Sequence, residues 1–148
     1  KWVANTPAWI DMFFKPKVIP SGVFANYYQM NGMPFWGEKV PGMDGFLAAW
    51  EAHGAELGSP DFYVLLSYVQ GLVQIEAAKK AINAGDITRA GYIKQLSTID
   101  GWNAGGLIQP LSLTAFPYEA GTRTRVLRPN FETKSWTVAA GYAPSTGG

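Results

Sequence analysis

Apolar residues in the middle of the chain recur at the spacing of one helix face, and polar punctuation separates the runs. Between residues 59 and 109 the sequence reads SPDFYVLLSYVQGLVQIEAAKKAINAGDITRAGYIKQLSTIDGWNAGGLIQ. Phe62, Leu65, Leu66, Val69, Leu72 and Val73 make a buried stripe of three- and four-residue steps, which predicts a long helix. Ser59 as N-cap, Pro60 at the first helical position and Asp61 near the positive end of the dipole would open it. Asn83 and Gly85 would close it at about Ala84. Asp86 or Thr88 then caps a further helix carrying Tyr92, Ile93, Leu96 and Ile99 at the same spacing. Upstream, Met43, Phe46, Leu47 and Trp50 fall at i, i+3, i+4 and i+7, so a helix is expected to end at His53-Gly54. Three helices therefore follow one another.

The flanks have another character. Lys1 to Ala4 reads as a strand, and Thr6-Pro7 as the start of a short helix with Trp9, Met12, Phe13 and Phe14, stopped by Pro16. Val18 to Tyr28 is β-branched and aromatic and predicts a strand. Between Met30 and Gly45 the run NGMPFWGEKVPGMDG holds two prolines and four glycines, too many for a regular element, so it is expected to be an irregular crossover or hinge. After Gly101 come short strands around Leu107, Leu111 and Leu113, at Arg123 to Arg128 and at Ser135 to Ala140. A Gly/Ser/Pro tail from Ala143 to Gly148 is expected to be unstructured. The few strands cannot build a sheet covered on both faces. That shortage alone suggests part of a larger fold.

Composition narrows the function. The 148 residues carry a net charge of +1 with basic residues thinly spread, which offers no face for a phosphate backbone, and no nucleic-acid partner is expected. There is no cysteine, so thiolate metal sites and cysteine nucleophiles are excluded. No apolar run approaches the roughly 18 residues of a membrane helix. KWVANTPAWID lacks the order of a signal peptide, so any targeting signal is expected upstream. His53 reads as a helix C-terminal residue, Asp44, Glu51, Glu56 and Asp61 as helix-end charges, and Glu76 with Lys79 or Lys80 as a helical ion pair. Gly105-Gly106 opens no helix and precedes no Lys-Ser/Thr, so it is a turn before a strand rather than a phosphate cradle. No catalytic residue, metal or cofactor is expected. Aromatic residues, at 14% with six Trp, are the unusual component. They would fill a core, an interface or a ligand site.

The order of elements, with FLAAWEAHG, YVLLSYVQGL, ITRAGYIKQL and NAGGLIQPLSL in succession, resembles the closing part of periplasmic binding proteins of type I, the branched-chain amino-acid receptor family of ABC importers. The resemblance implies an α/β fold, the C-terminal part of a two-lobed three-layer αβα architecture. Residues 1–32 would belong to lobe two, 33–124 to lobe one with the crossover, and 125–148 to a return to lobe two and a flexible tail. A non-enzymatic solute receptor follows, trapping an amino acid, aromatic acid or amide between lobes and presenting it to an ABC permease of the membrane. Its other partner would be the missing N-terminal part of the same protein. The location would be periplasmic or otherwise extracytoplasmic, with a lipid anchor at the missing N-terminus as one route. By position in the family, Tyr63 with its neighbour Phe62 matches an aromatic ligand contact before the long helix. The loop Asn5-Thr6-Pro7 matches the one that supplies a polar contact. The family's carboxylate for an amino group has no counterpart in that loop, which leaves neutral or carboxylated aromatics, amides and other small organic solutes. Trp36 would line the cleft or brace the hinge, and Tyr27 and Tyr28 share that choice. Tyr63 has packing beside Phe62, and Thr6 helix capping, as structural alternatives. A cytoplasmic ligand-sensing regulator of the same fold, or an independent aromatic-rich interaction module, are the competing readings.

Overall fold

In the computed structural model, the residues described are 1–5, 8–15, 17, 18, 20–36, 38–115, 119, 120 and 123–144. Strands β1 (Trp2–Asn5), β2 (Tyr27–Asn31), β5 (Arg123–Asn130) and β6 (Ser135–Pro144) form one sheet in the order β1-β2-β5-β6. Trp2 pairs with Tyr27 in the parallel β1–β2 ladder, Gln29 with Leu127 in the antiparallel β2–β5 ladder, and Leu127 with Val138 across the β5–β6 hairpin. Asn130 closes that hairpin, its side-chain oxygen accepting the N–H groups of Glu132 and Thr133 at 3.0 and 3.1 Å. Alternation puts Tyr27, Gln29 and Asn31 on the buried face of β2. Trp9 and Phe14 pack on Tyr27, with Phe13, Phe24, Phe131 and Trp136 around them. Trp9 is the hub, with six neighbouring rings at centroid distances from 4.8 to 6.3 Å.

Between β2 and β5 lies a helical half with its own core. Helices α1 (Pro41–His53), α2 (Phe62–Asn83) and α3 (Arg89–Leu96) come in the expected order. Leu65 and Val69 of α2 meet Met43 and Phe46 of α1 and Leu107 from the loop beyond α3. Farther along α2, Ala77 packs with Ile99 and Leu111. Two short strands, β3 (Leu111–Ser112) and β4 (Glu119–Ala120), pair antiparallel at the edge of this half.

Several boundaries differ from expectation, each for a local reason. Of the expected strand Val18 to Tyr28, only Tyr27 and Tyr28 are in a strand. Ser21–Phe24 is a 3-10 turn after Pro20, with Val23 N–H bonded to Pro20 O at 3.0 Å, and β2 begins at Tyr27 and runs on to Asn31. Proline and glycine turn chemistry overrides β-propensity there. The short N-terminal helix is one 3-10 turn, Asp11–Phe14, and its expected start at Thr6-Pro7 lies outside the described residues. The cap of α2 is Asp61, which accepts the Val64 N–H at 3.0 Å, so the helix opens at Phe62 rather than behind Ser59. Thr88 caps α3, accepting from Gly91 N–H at 3.1 Å. Ile93 is 53% exposed, because α3 is short and turns a different face to α2, while Ile99 beyond its end is buried. Strand β6 continues through Ala143 and Pro144, which the hairpin ladder holds against Arg123 and Thr124. The rest of the expected tail lies outside the described residues.

Candidate functional site

The sheet half and the helical half meet at the first turn of α2. Asp11, on the 3-10 turn after Trp9, comes from the sheet side. Its carboxyl is pushed above the ordinary value by burial and by the charge of Asp61, while the Trp9 indole and the Phe62 backbone N–H act the other way. The Trp9 N–H is buried and leans toward that carboxylate without the alignment of a full hydrogen bond. Thus a side chain of one half reaches the N-terminal end of a helix in the other, where unpaired N–H groups favour negative charge.

Tyrosines continue the junction. Burial raises the Tyr27 phenol above its usual pKa, and Tyr63 in the first turn of α2 adds to the shift, so the Tyr27 hydroxyl senses a group of the other half. Tyr27 donates to Gln29 Oε1 at 3.1 Å, which orients the phenol along the β2 face. The junction therefore carries two carboxyls, two phenols and a buried amide against an aromatic wall. Such a surface can accept from donors, donate through phenols and stack on a planar solute.

The expected site residues fall in different places. Tyr63 is half-buried at the junction, with its ring 6.0 Å from that of Phe62 at 78°. Phe62 itself is 8% exposed and belongs to the helical core. Trp36 packs edge-on to Phe46 at 5.4 Å, in the same core. Asn5 is exposed at the end of β1, opposite Met30 in register, and Thr6 lies outside the described residues. Tyr28 lies on the opposite sheet face from Tyr27, with the Arg128 guanidinium 5.3 Å from its ring centre. His53 is exposed in the last turn of α1, where a cation suits the dipole. Asp11 and Gln29 were not singled out by the sequence. For Gln29 the available signal is the alternation Tyr27-Gln29-Asn31, most of which lies beyond Tyr28, where the expected strand ends.

Among the described residues there is no group of three or more His, Cys, Asp and Glu that could hold a metal ion. None of their helices is long and apolar enough to cross a membrane. A hollow of about 530 Å3 lies at the crossing between the halves, lined by Glu38, Lys39, Val40, Pro41, Met43, Asp44 and Leu47.

No protein-family model matches the chain, and no curated protein matches it in sequence. In structure it is similar to a fatty acid ABC transporter substrate-binding protein from Thermomonospora curvata, with a TM-score of 0.77 at 17% identity over 97% of this chain. The match covers 36% of that protein, so the chain spans about a third of its length. The expected α/β architecture is thereby borne out: the chain has the fold of part of an ABC transporter substrate-binding protein.

Proposed function

We propose that the chain is part of a two-lobed solute receptor of an ABC importer, with the type I arrangement. Residues 1–32 and 125–148 serve one lobe and 33–124 the other. The observation that carries this reading is the likeness of nearly the whole chain to a substrate-binding protein. The junction adds support, because carboxyl, phenol and amide groups from both halves converge where closing lobes would hold a small molecule. Tyr63, Asn5 and Thr6 contact the solute in this reading, and Phe62 and Trp36 hold the wall from behind.

The partners are a small organic solute, the permease of the importer and the rest of the receptor polypeptide. The rest of the receptor packs on the sheet beside β1, where Trp2 and Val3 are 70% and 67% exposed. The receptor works outside the cytoplasm, anchored to the membrane or free. Its ligand class is an amino acid, an aromatic acid or an amide. Asp11 supplies the carboxylate that the Asn5-Thr6-Pro7 loop lacks, which keeps amino-bearing solutes in the class. The ligand named for the structural neighbour adds fatty acids to the panel to be tested.

Calorimetric titration of the receptor containing these residues with amino acids, aromatic acids, amides and fatty acids tests the reading. Binding of one class is expected, weakened about tenfold, or about 1.4 kcal/mol, by Tyr63→Ala. No heat with any class, or an affinity untouched by both Tyr63→Ala and Asp11→Asn, sinks it.

A further inference from the structure

Two halves joined by separate passages of backbone need something to fix the angle between them, and Arg125 stands where those passages converge. It is the third residue of β5 and is 4% exposed. Nη1 donates to Glu38 Oε1 at 2.7 Å, and Nη2 donates to Glu38 Oε2 and to the Met33 carbonyl oxygen, the latter at 3.3 Å. Met33 and Glu38 bracket the chain that leaves β2 for the helical half. Glu38 also accepts the Phe35 N–H at 3.2 Å, and Asn31 accepts the Met33 N–H at 3.0 Å, so this passage is pinned at successive points. The guanidinium carbon lies 5.4 Å from the Phe35 ring centre and 5.0 Å from that of Tyr142, near the end of β6. Burial raises the Tyr142 phenol above its usual pKa, while Arg125 and the Gln109 side chain of the helical half act the other way.

Burial works against the charge of Arg125, but the Glu38 hydrogen bonds, with Tyr142 and Glu38 electrostatics behind them, outweigh it and keep the group charged. A buried ion pair is weak evidence for stability, since desolvation offsets most of its attraction. Its planar fork, however, prescribes direction in a way that an apolar contact does not. We propose that Arg125 is the positioning residue of the hinge: by gripping Glu38 and Met33 on one passage, while lying over Phe35 and against Tyr142 of β6, it sets the angle at which the halves face each other. This rests on the reading that the halves are lobes closing on a solute, and it names the residue that limits their movement.

These 148 residues carry no cysteine, so within them a pair of spin labels attaches only where cysteines are introduced. Ile87→Cys, at a position 79% exposed before α3, and Thr133→Cys in the exposed β5–β6 turn report the distance between halves by double electron–electron resonance. With this pair introduced into the receptor that contains these residues, the parental sequence is expected to give a narrow distribution. Arg125→Lys keeps the charge but loses the fork, and is expected to widen the distribution at least about twofold, with Glu38→Gln doing the same. Val69→Ala, in the α2 core, should lower stability without widening it. A parental width in folded Arg125→Lys, or equal widening in Val69→Ala, overturns the proposal. If Arg125→Lys fails to fold, Glu38→Gln carries the test, and a parental width there overturns it. A solute-induced change of mean distance is read separately: its absence counts against the receptor reading and leaves the widths to decide the role of Arg125.

Discussion

A carboxylate pressed against a helix start from outside that helix is pulled in two directions. For Asp11, burial and the neighbouring Asp61 outweigh the donors from Trp9 and Phe62, and its pKa in the folded chain lies above the ordinary 3.8. The protonated form is therefore favoured on folding, so the stabilisation from this group is fully present below 3.8 and is lost as the pH rises through the raised value. Urea unfolding across the acidic range should show Asp11→Asn flattening that part of the stability profile and gaining on the parent chain toward neutrality. An identical pH dependence in both proteins would show that Asp11 is solvated instead. Glycine makes the second residue-scale case. A Cβ on Gly42 would run into the Ala104 carbonyl oxygen and the Leu107 side chain, and Gly105 on the facing turn has φ 66°. The double glycine read from sequence as a turn is thus also the surface against which α1 begins. Gly42→Ala should cost about 2 kcal/mol by overpacking, measured by chemical unfolding.

Among the elements, α2 organises the helical half, because its stripe serves one cluster with Leu65 and Val69 and another with Ala77. Leu65 is fully buried, so Leu65→Ala is expected to lose about 3 kcal/mol, whereas Thr88→Ala, which removes only the α3 cap, should lose about 1 kcal/mol. Equal losses in the two unfolding titrations would mean that α2 does not carry the core. These helices were legible because their information is local: period, cap and stop lie within a few residues of one another. The Ser59 cap was misplaced by only two residues, since serine, proline and aspartate in succession all qualify. Strand β2 was harder. Its apolar content starts at Val18, but the Pro20 to Gly22 turn consumes the first part, and the useful alternation begins only at Tyr27. The junction was less legible still. Arg125 and Glu38 lie 87 residues apart and meet only through the β2–β5 pairing, while Asp11 reaches Phe62 only because the aromatic cluster around Trp9 fixes its turn. No spacing rule along the chain encodes either meeting.

At the scale of the molecule, the described sheet has one side well furnished and one side bare. Aromatic rings cover Tyr27, yet Val3 is 67% exposed and Met30 39% on the opposite face. Beside β1, an apolar hollow of about 230 Å3 opens between Trp2, Val3, Ala4, Val23, Phe24 and Tyr27. Parallel pairs such as β1–β2 normally sit inside sheets covered on both faces, and an open apolar edge strand is a template for further pairing. The same surface that would receive the rest of a receptor therefore makes these 148 residues adhesive by themselves. Sedimentation of the chain over increasing concentration is expected to show self-association. Val3→Lys, which places a charge on β1 without touching the aromatic cluster, should shift the onset to about tenfold higher concentration, equivalent to about 1.4 kcal/mol of association free energy. A parent chain that stays monomeric throughout would mean that the exposed face is tolerated in water, and would remove the support it lends to a larger receptor around it.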